Sequence, residues 1–326
     1  MGARLRSLIL VLVQVFRFQL VMPSAGKAGK VAHSAVSTLS RPSMSNLRYA
    51  VWAAVITVSG TGALGQSVSP DTSVVRVGDY VERYYARAQS LVVDESVAIQ
   101  PLALDLRAEG FPRRLTYELR VEWNPDSDDD VPAKVTRQLL TINGRPPKPD
   151  QEPECLDPRS TSPEPLAFLL ADRREKFIFK AAGLGRVDGR AAMMIDYRSV
   201  KPETPKVEWR KECVSIDLPG RARGRIWADP ETAEILRLDE GITGLVDIAV
   251  PAAQQRAGGS PYMTIERADS SIRYRRVAFT DPEESLLLPS SIDTTTIVRN
   301  SGSPRVRISQ TFGNYRRFVT GSRLIP

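Results

Sequence analysis

Cys155 and Cys213 are the only cysteines of this 326-residue chain, His33 is its only histidine, and carboxylates make up the rest of its reactive inventory. No Cys-x-x-Cys and no zinc spacing surrounds the two thiols. In an oxidising compartment they are expected to form a disulfide tying a Pro-rich loop to a strand at Val207–Ile216; the other reading is two unpaired core thiols. If the N-terminal region that holds His33 is removed, Ser-His-Asp and Cys-His catalysis and every His-ligated metal site are excluded. A pair of Asp or Glu residues flanking a glycosidic bond needs no histidine, so a carboxylate-based hydrolase stays open as a third reading. No spacing marks such a pair. Asn124–Asp130 holds four acids in seven residues; it lacks the Gly and terminal Glu of a calcium loop and reads as a solvated hairpin loop. Gly183-x-Gly185-x-x-x-Gly189 lacks the Lys-Ser/Thr of a phosphate loop and reads as a turn between strands. No catalytic, metal or cofactor-binding residue is assigned.

Charge points the same way. Of the 45 Lys and Arg, seven lie in residues 1–65, which carry no acid, and the remaining 38 face 38 acids. A neutral body has no electrostatic footprint for nucleic acid. Met44–Gly65 has the layout of a signal peptide, with a basic start, an apolar core at Tyr49–Val58 and small residues at Gly62–Gly65 before Gln66. Residues 1–43 then read as an over-extended start or leader, and residues 66–326 as one periplasmic or secreted domain. The rival reading, two membrane spans at Leu8–Val21 and Tyr49–Leu64, requires stretches that are too short or interrupted.

The elements that must position any site alternate apolar and polar residues. From Asp71 to Ala88, Val74, Val77, Val81, Tyr84, Tyr85 and Ala88 fall at three-and-four spacing, predicting a helix with one apolar face packed on a sheet. Leu115, Tyr117, Leu119, Val121 and Trp123 alternate with charged residues, predicting a strand with one wet face. Weaker copies occur at Val135–Asn143, Phe177–Lys180, Ala191–Tyr197, Val207–Ile216, Ile272–Phe279, Ile292–Val298 and Val306–Phe312. Pro165–Leu170 predicts a short apolar helix that must dock inside something, and Ile242–Ser260 an exposed loop. In Arg223–Glu240, Asp229 and Pro230 supply the turn chemistry of a β-hairpin between Ile226–Ala228 and Ile235–Leu238.

That hairpin, Arg-Ile-Trp-Ala-Asp-Pro-Glu-Thr-Ala-Glu-Ile-Leu-Arg, within an exported chain of helix, meander and mid-chain apolar helix, resembles the periplasmic lipoprotein-carrier superfamily. With Leu288–Asp293 and Phe312–Phe318 added, it also looks like uncharacterised exported proteins of soil bacteria. The resemblance covers about residues 71–320. It implies an α+β, mainly antiparallel fold, a curved open half-barrel covered by the N-terminal helix and the short mid-chain helix. It also implies a cavity for acyl chains and no catalytic residues. One residue departs from the pattern, Ala233 standing where Gly is usual, so a left-handed turn there would be strained. The expected function is non-enzymatic binding of a lipid or acylated partner. Phe168, Leu169 and Leu170 are expected as a displaceable plug, with Trp123 and Phe179 lining the space below and no buried charge to orient a polar ligand. The alternative is an envelope sensor or scaffold with a filled core that binds another protein.

Overall fold

Residues 17–21, 70–88, 90–123, 133–158, 166–210, 213–255, 259–280 and 283–317 are described in the computed structural model of the chain. The expected signal peptide, its cleavage site and His33 lie outside them, as does Asn124–Asp130. Residues 1–24 and 69–326 form one unit; a second unit, residues 25–68, falls wholly outside the described residues.

In chain order the elements are β1 (Arg17–Val21), α1 (Pro70–Arg87), β2 (Ser90–Pro101), β3 (Arg113–Trp123) and β4 (Ala133–Ile142). A 3-10 turn at Leu166–Leu169 precedes β5 (Phe177–Val187), β6 (Arg190–Ser199), β7 (Lys206–Arg210), β8 (Cys213–Asp217) and β9 (Ala222–Ala228). Then come β10 (Ile235–Ile242), β11 (Val246–Ala249), β12 (Tyr262–Thr280), β13 (Glu283–Arg299) and β14 (Arg305–Arg317). Eleven strands form one sheet in the order β4-β3-β2-β14-β13-β12-β10-β9-β6-β5, with β11 beside β12. Every pairing is antiparallel, and β4 and β5 do not meet, so the sheet is an open half-barrel. Register shifts in several ladders mark β-bulges, which bend and twist a sheet. A separate three-stranded sheet runs β1-β8-β7.

The inner face follows from alternation. Leu115, Tyr117, Leu119 and Val121 of β3 are buried, while Arg114 and Arg120 are exposed. Helix α1 covers this face with the residues its spacing predicted: Val74, Val77, Val81, Tyr84, Tyr85 and Ala88 are all buried. Each fully buried Val contributes about 1.5–3 kcal/mol, so packing rather than intrinsic propensity holds the helix. Arg76 fastens α1 to the hairpin turn, donating to the carbonyl oxygens of Pro230 (3.2 Å) and Glu231 (2.6 Å). That turn forms as its chemistry requires, Asp229 Oδ1 accepting from the amides of Glu231 and Thr232 at 3.0 Å each. Those amides and Arg190 hold the Asp229 carboxyl below its usual range although burial opposes them. Ala233 does adopt the left-handed conformation, with φ of 61°.

Cys155 and Cys213 are bonded, their Cα atoms 5.3 Å apart across 58 residues of sequence. The bond ties the loop after β4 to the start of β8.

Several expectations need correction. Val207–Ile216 is two strands, β7 and β8, paired as a hairpin with Arg210 opposite Cys213. Gly183 is not in a turn: β5 runs through it to Val187 with a register shift between Ala181 and Leu184, and the turn falls at Asp188–Gly189. Ile242–Ser260 is not all loop, because β11 within it pairs with β12. β2 was not foreseen at all.

Candidate functional site

The turn Leu166–Leu169 packs its side chains into the core as a cover, called the lid below. Leu166, Phe168 and Leu169 are buried, Phe168 with 0% exposure. The Phe168 ring lies 4.5 Å from that of Tyr197, 5.1 Å from Phe177 and 6.3 Å from Phe179, centre to centre, separations at which aromatic pairs attract. Leu170 and Phe179 are partly buried and pack against the same core. Four of the five expected cavity residues, Phe168, Leu169, Leu170 and Phe179, therefore belong to one cluster. Trp123 ends β3, but its side chain lies outside the described residues.

The backbone holds this lid lightly. Among the described residues its backbone hydrogen bonds are local, Leu170 N–H to the Ala167 carbonyl (3.2 Å) and the Arg173 and Arg174 amides to the Leu170 carbonyl (3.0 Å each). Helix α1 comes close at a glycine: a Cβ on Gly78 would stand 2.7 Å from the Leu169 carbonyl oxygen. Only a residue without a side chain permits that approach.

The rings of Phe177, Phe179 and Tyr197 pack against Phe168 under the lid. A concavity of about 530 Å³ opens elsewhere, at Phe111, Pro112, Arg113, Arg114 and Asn143. Phe111 there is 97% exposed.

The inner face buries a carboxyl at two places, and the first, ion-paired, overturns the expectation that no charge is buried there. Glu95 of β2 is 1% exposed and accepts from Arg137 of β4 at 2.6 and 3.2 Å and from the Gln310 amide of β14 at 2.7 Å. On the inner face Glu95 interrupts the row Leu91, Val93, Val97 and Ile99, and the apolar core divides there. A large cluster lies under α1, and a smaller one contains Val97, Ile99, Leu115, Tyr117 and Val306. Burial, and then the charges of Asp157 and Glu95, raise the Tyr117 hydroxyl pKa well above its ordinary value. The second place is Glu240 of β10, buried, which accepts from the Tyr197 hydroxyl at 2.8 Å. Burial raises its carboxyl to about 8 against an ordinary 4.5, despite the Tyr197 hydrogen bond, which acts the other way. At neutral pH Glu240 is a neutral acid in the floor of the lid. It faces packed side chains, not a cleft, and nothing pairs it with a second carboxylate in the manner of a glycosidase.

The outer face is polar. Arg225 holds Asp196 in a bidentate pair at 2.5 and 3.0 Å, which lowers the Asp196 carboxyl pKa. Arg225 and Arg237 both lie over the ring of Trp227, at 5.7 and 4.7 Å. Trp227 is thus a half-buried residue at the margin of the core with two cation–π partners. Arg316 and Arg317 lie in the end of β14 that pairs with β2, beyond its register with β13, which stops at Thr311; they pair with Asp94 (2.9 Å) and Glu284.

Among the described residues no group of three or more His, Cys, Asp or Glu side chains is placed to hold a metal, and no helix is long and apolar enough to cross a membrane. No protein-family model and no curated protein matches this chain. Among solved structures it is similar to a DUF1329 family protein from Desulfovibrio piger, at 10% identity over 78% of this chain and 96% of that one, with a TM-score of 0.42. It is also similar to a LolA superfamily protein from Nitrosomonas europaea, at 8% identity over 80% and 98%, with a TM-score of 0.31. At these identities and scores the likeness says nothing of ligand or partner.

Proposed function

We propose that the protein is an exported, non-enzymatic binding module that takes up an apolar chain, a lipid or the acyl group of a lipidated partner, by displacing the Leu166–Leu169 lid. The observation that carries this reading is the way the lid is held. Three side chains are buried while the backbone hydrogen bonds of the turn among the described residues are local, so an acyl chain can replace the apolar contacts that the turn gives up. Exposing Leu166, Phe168 and Leu169 costs about 1.5–3 kcal/mol each, and a buried methylene returns about 0.8 kcal/mol, so roughly six to eleven methylenes offset the opening. A long acyl chain meets that requirement; a short polar ligand does not. Export follows the reading of Met44–Gly65 as a signal peptide, which places the start of the mature protein near Gln66 in the periplasm or outside the cell.

A second reading rests on a specific observation too. Phe168 is fully enclosed by Phe177, Phe179 and Tyr197, as in a permanently filled core. On that reading the protein is an envelope sensor or scaffold that binds another protein through an edge or loop.

Organic extraction of protein purified from the cell envelope, followed by lipid mass spectrometry, separates the two. A fluorescent fatty-acid titration of the wild type and of Leu169→Asp accompanies it. Carried lipid or saturable probe binding supports the carrier. Absence of both, with a Leu169→Asp variant that merely unfolds, sinks it in favour of the scaffold.

A further inference from the structure

Strand β8 carries an edge unlike the two margins of the large sheet. At the margins of the large sheet, β4 carries Lys134 and Arg137 and has a register shift against β3, and β5 carries Lys180 and Arg186 and has a register shift against β6. Charges and bulges are the devices that stop an edge from recruiting another strand. β8 has neither. Its sequence, Cys-Val-Ser-Ile-Asp, lacks Lys, Arg and Pro, and its pairing with β7 runs without a register shift. Val214 and Ile216 are fully buried, and the disulfide at Cys213 fixes one end of the strand.

In the full chain that edge is occupied by β1, antiparallel and in unbroken register. Arg17 stands opposite Asp217, Phe18 opposite Ile216, Gln19 opposite Ser215 and Leu20 opposite Val214. Basic therefore meets acidic, apolar meets apolar, and polar meets polar along the ladder. If the mature protein begins near Gln66, as the proposed export requires, β1 is removed with the leader and the β8 edge is left with unpaired amides and carbonyls.

We infer that the outer edge of β8 is a strand-docking site. In the exported protein it receives an extended segment of a partner polypeptide, running antiparallel to β8, with a basic residue opposite Asp217 and apolar residues opposite Ile216 and Val214. β1 occupies it in the precursor with the same pattern. Main-chain hydrogen bonds would supply affinity, and the alternating side chains would supply selectivity. The inference rests on removal of the leader, and its test keeps the two separable.

The test uses protein recovered from the cell envelope, its N-terminus established by intact mass, and a fluorescein-labelled peptide of residues 15–23. Anisotropy reads binding, and amide hydrogen exchange reads the place. The expected result is saturable binding, at least tenfold slower exchange at residues 213–217, and at least tenfold weaker binding of the peptide carrying Phe18→Asp and Leu20→Asp. With protein that begins near Gln66, three results would overturn the docking site while leaving export intact. They are no saturable binding, equal binding of the altered peptide, or protection confined to other strands. A dimer that the peptide cannot dissociate would assign the edge to a second copy and overturn it as well. Protein that retains residues 1–65 would overturn the export reading, and with it the availability of the edge.

Discussion

Replacing Gly78 by Ala should loosen the lid without removing a single core atom. In an exposed helix interior the substitution stabilises by roughly 0.5–1 kcal/mol, because Gly loses more backbone freedom on folding. Here the added Cβ would stand 2.7 Å from the Leu169 carbonyl oxygen and 3.1 Å from Arg174 Nη1. The arginine tip can move aside, but the carbonyl belongs to the lid backbone. Overpacking of this kind costs about 1–3 kcal/mol, so the closed state should lose up to about 2 kcal/mol net. The open state, in which lid and helix have parted, escapes the clash and keeps the propensity gain. Each 1.4 kcal/mol of that difference raises the open population tenfold, and apparent affinity rises with the competent fraction. The expected outcome is a slightly lower urea midpoint, faster amide exchange at Leu166–Leu169, and fatty-acid probe binding tightened by about tenfold. A lower midpoint with unchanged or weaker probe binding would refute the displaceable lid. A higher midpoint would show that α1 and the lid do not touch.

Other perturbations test the parts of the fold that carry strain or buried charge. Ala233→Gly removes a left-handed Ala at φ 61° and should stabilise by about 1 kcal/mol in urea melts; a loss would mean that the turn differs. The Glu240 carboxyl sits near 8 in the folded protein against an ordinary 4.5, so between those values the unfolded chain gives up its proton first and stability falls as pH rises. Glu240→Gln should flatten that slope, matching the wild type below pH 4.5 and exceeding it near pH 8 by on the order of several kcal/mol; parallel pH–stability curves would contradict it. Arg137→Met leaves the buried Glu95 without its cationic partner, only the Gln310 amide remaining, and should cost roughly 3–5 kcal/mol, whereas the double change Glu95→Leu with Arg137→Met should restore most of the loss. Additive losses in that double-mutant cycle would mean that the two side chains do not interact.

Local chemistry was legible and long-range pairing was not. The hairpin at Asp229 and the buried face of α1 depend on residues a few positions apart, and both could be read from spacing. β2 was missed because Val92 and Glu95 both break its alternation, Val92 as an apolar residue on the outer face and Glu95 as a carboxylate on the inner one. Glu95 is tolerable there only because β4 and β14 bring Arg137 and Gln310, 42 and 215 residues away in sequence, to its side. Strand order, which no periodicity encodes, makes that cluster. The division of Val207–Ile216 into β7 and β8 left no sign either, since no Gly, Pro, Asn or Asp separates Arg210 from Cys213. The lid residues Phe168, Leu169 and Leu170 were legible from their clustering alone, because so apolar a run has nowhere else to go. That the rings of Phe177, Phe179 and Tyr197 pack against Phe168 depended on how β5 and β6 curve, which the composition of those strands does not state.

β14, the last strand in sequence, lies fourth in the large sheet and joins β2 on one side to β13 on the other. The first three strands of that sheet are thus attached to the remainder of the ladder only through the C-terminal one. As the chain emerges from a ribosome or a translocation pore N-terminus first, β2 presents an unpaired edge until nearly everything else has been delivered. At ordinary synthesis rates that interval is on the order of ten seconds or more, long compared with hairpin formation. A chain broken off before Arg305 would leave two half-sheets, each with a raw apolar margin, and neither could heal the other. The molecule's assembly is therefore gated by its last strand, and the hazard of premature association is concentrated at the β2 margin while the chain is being delivered.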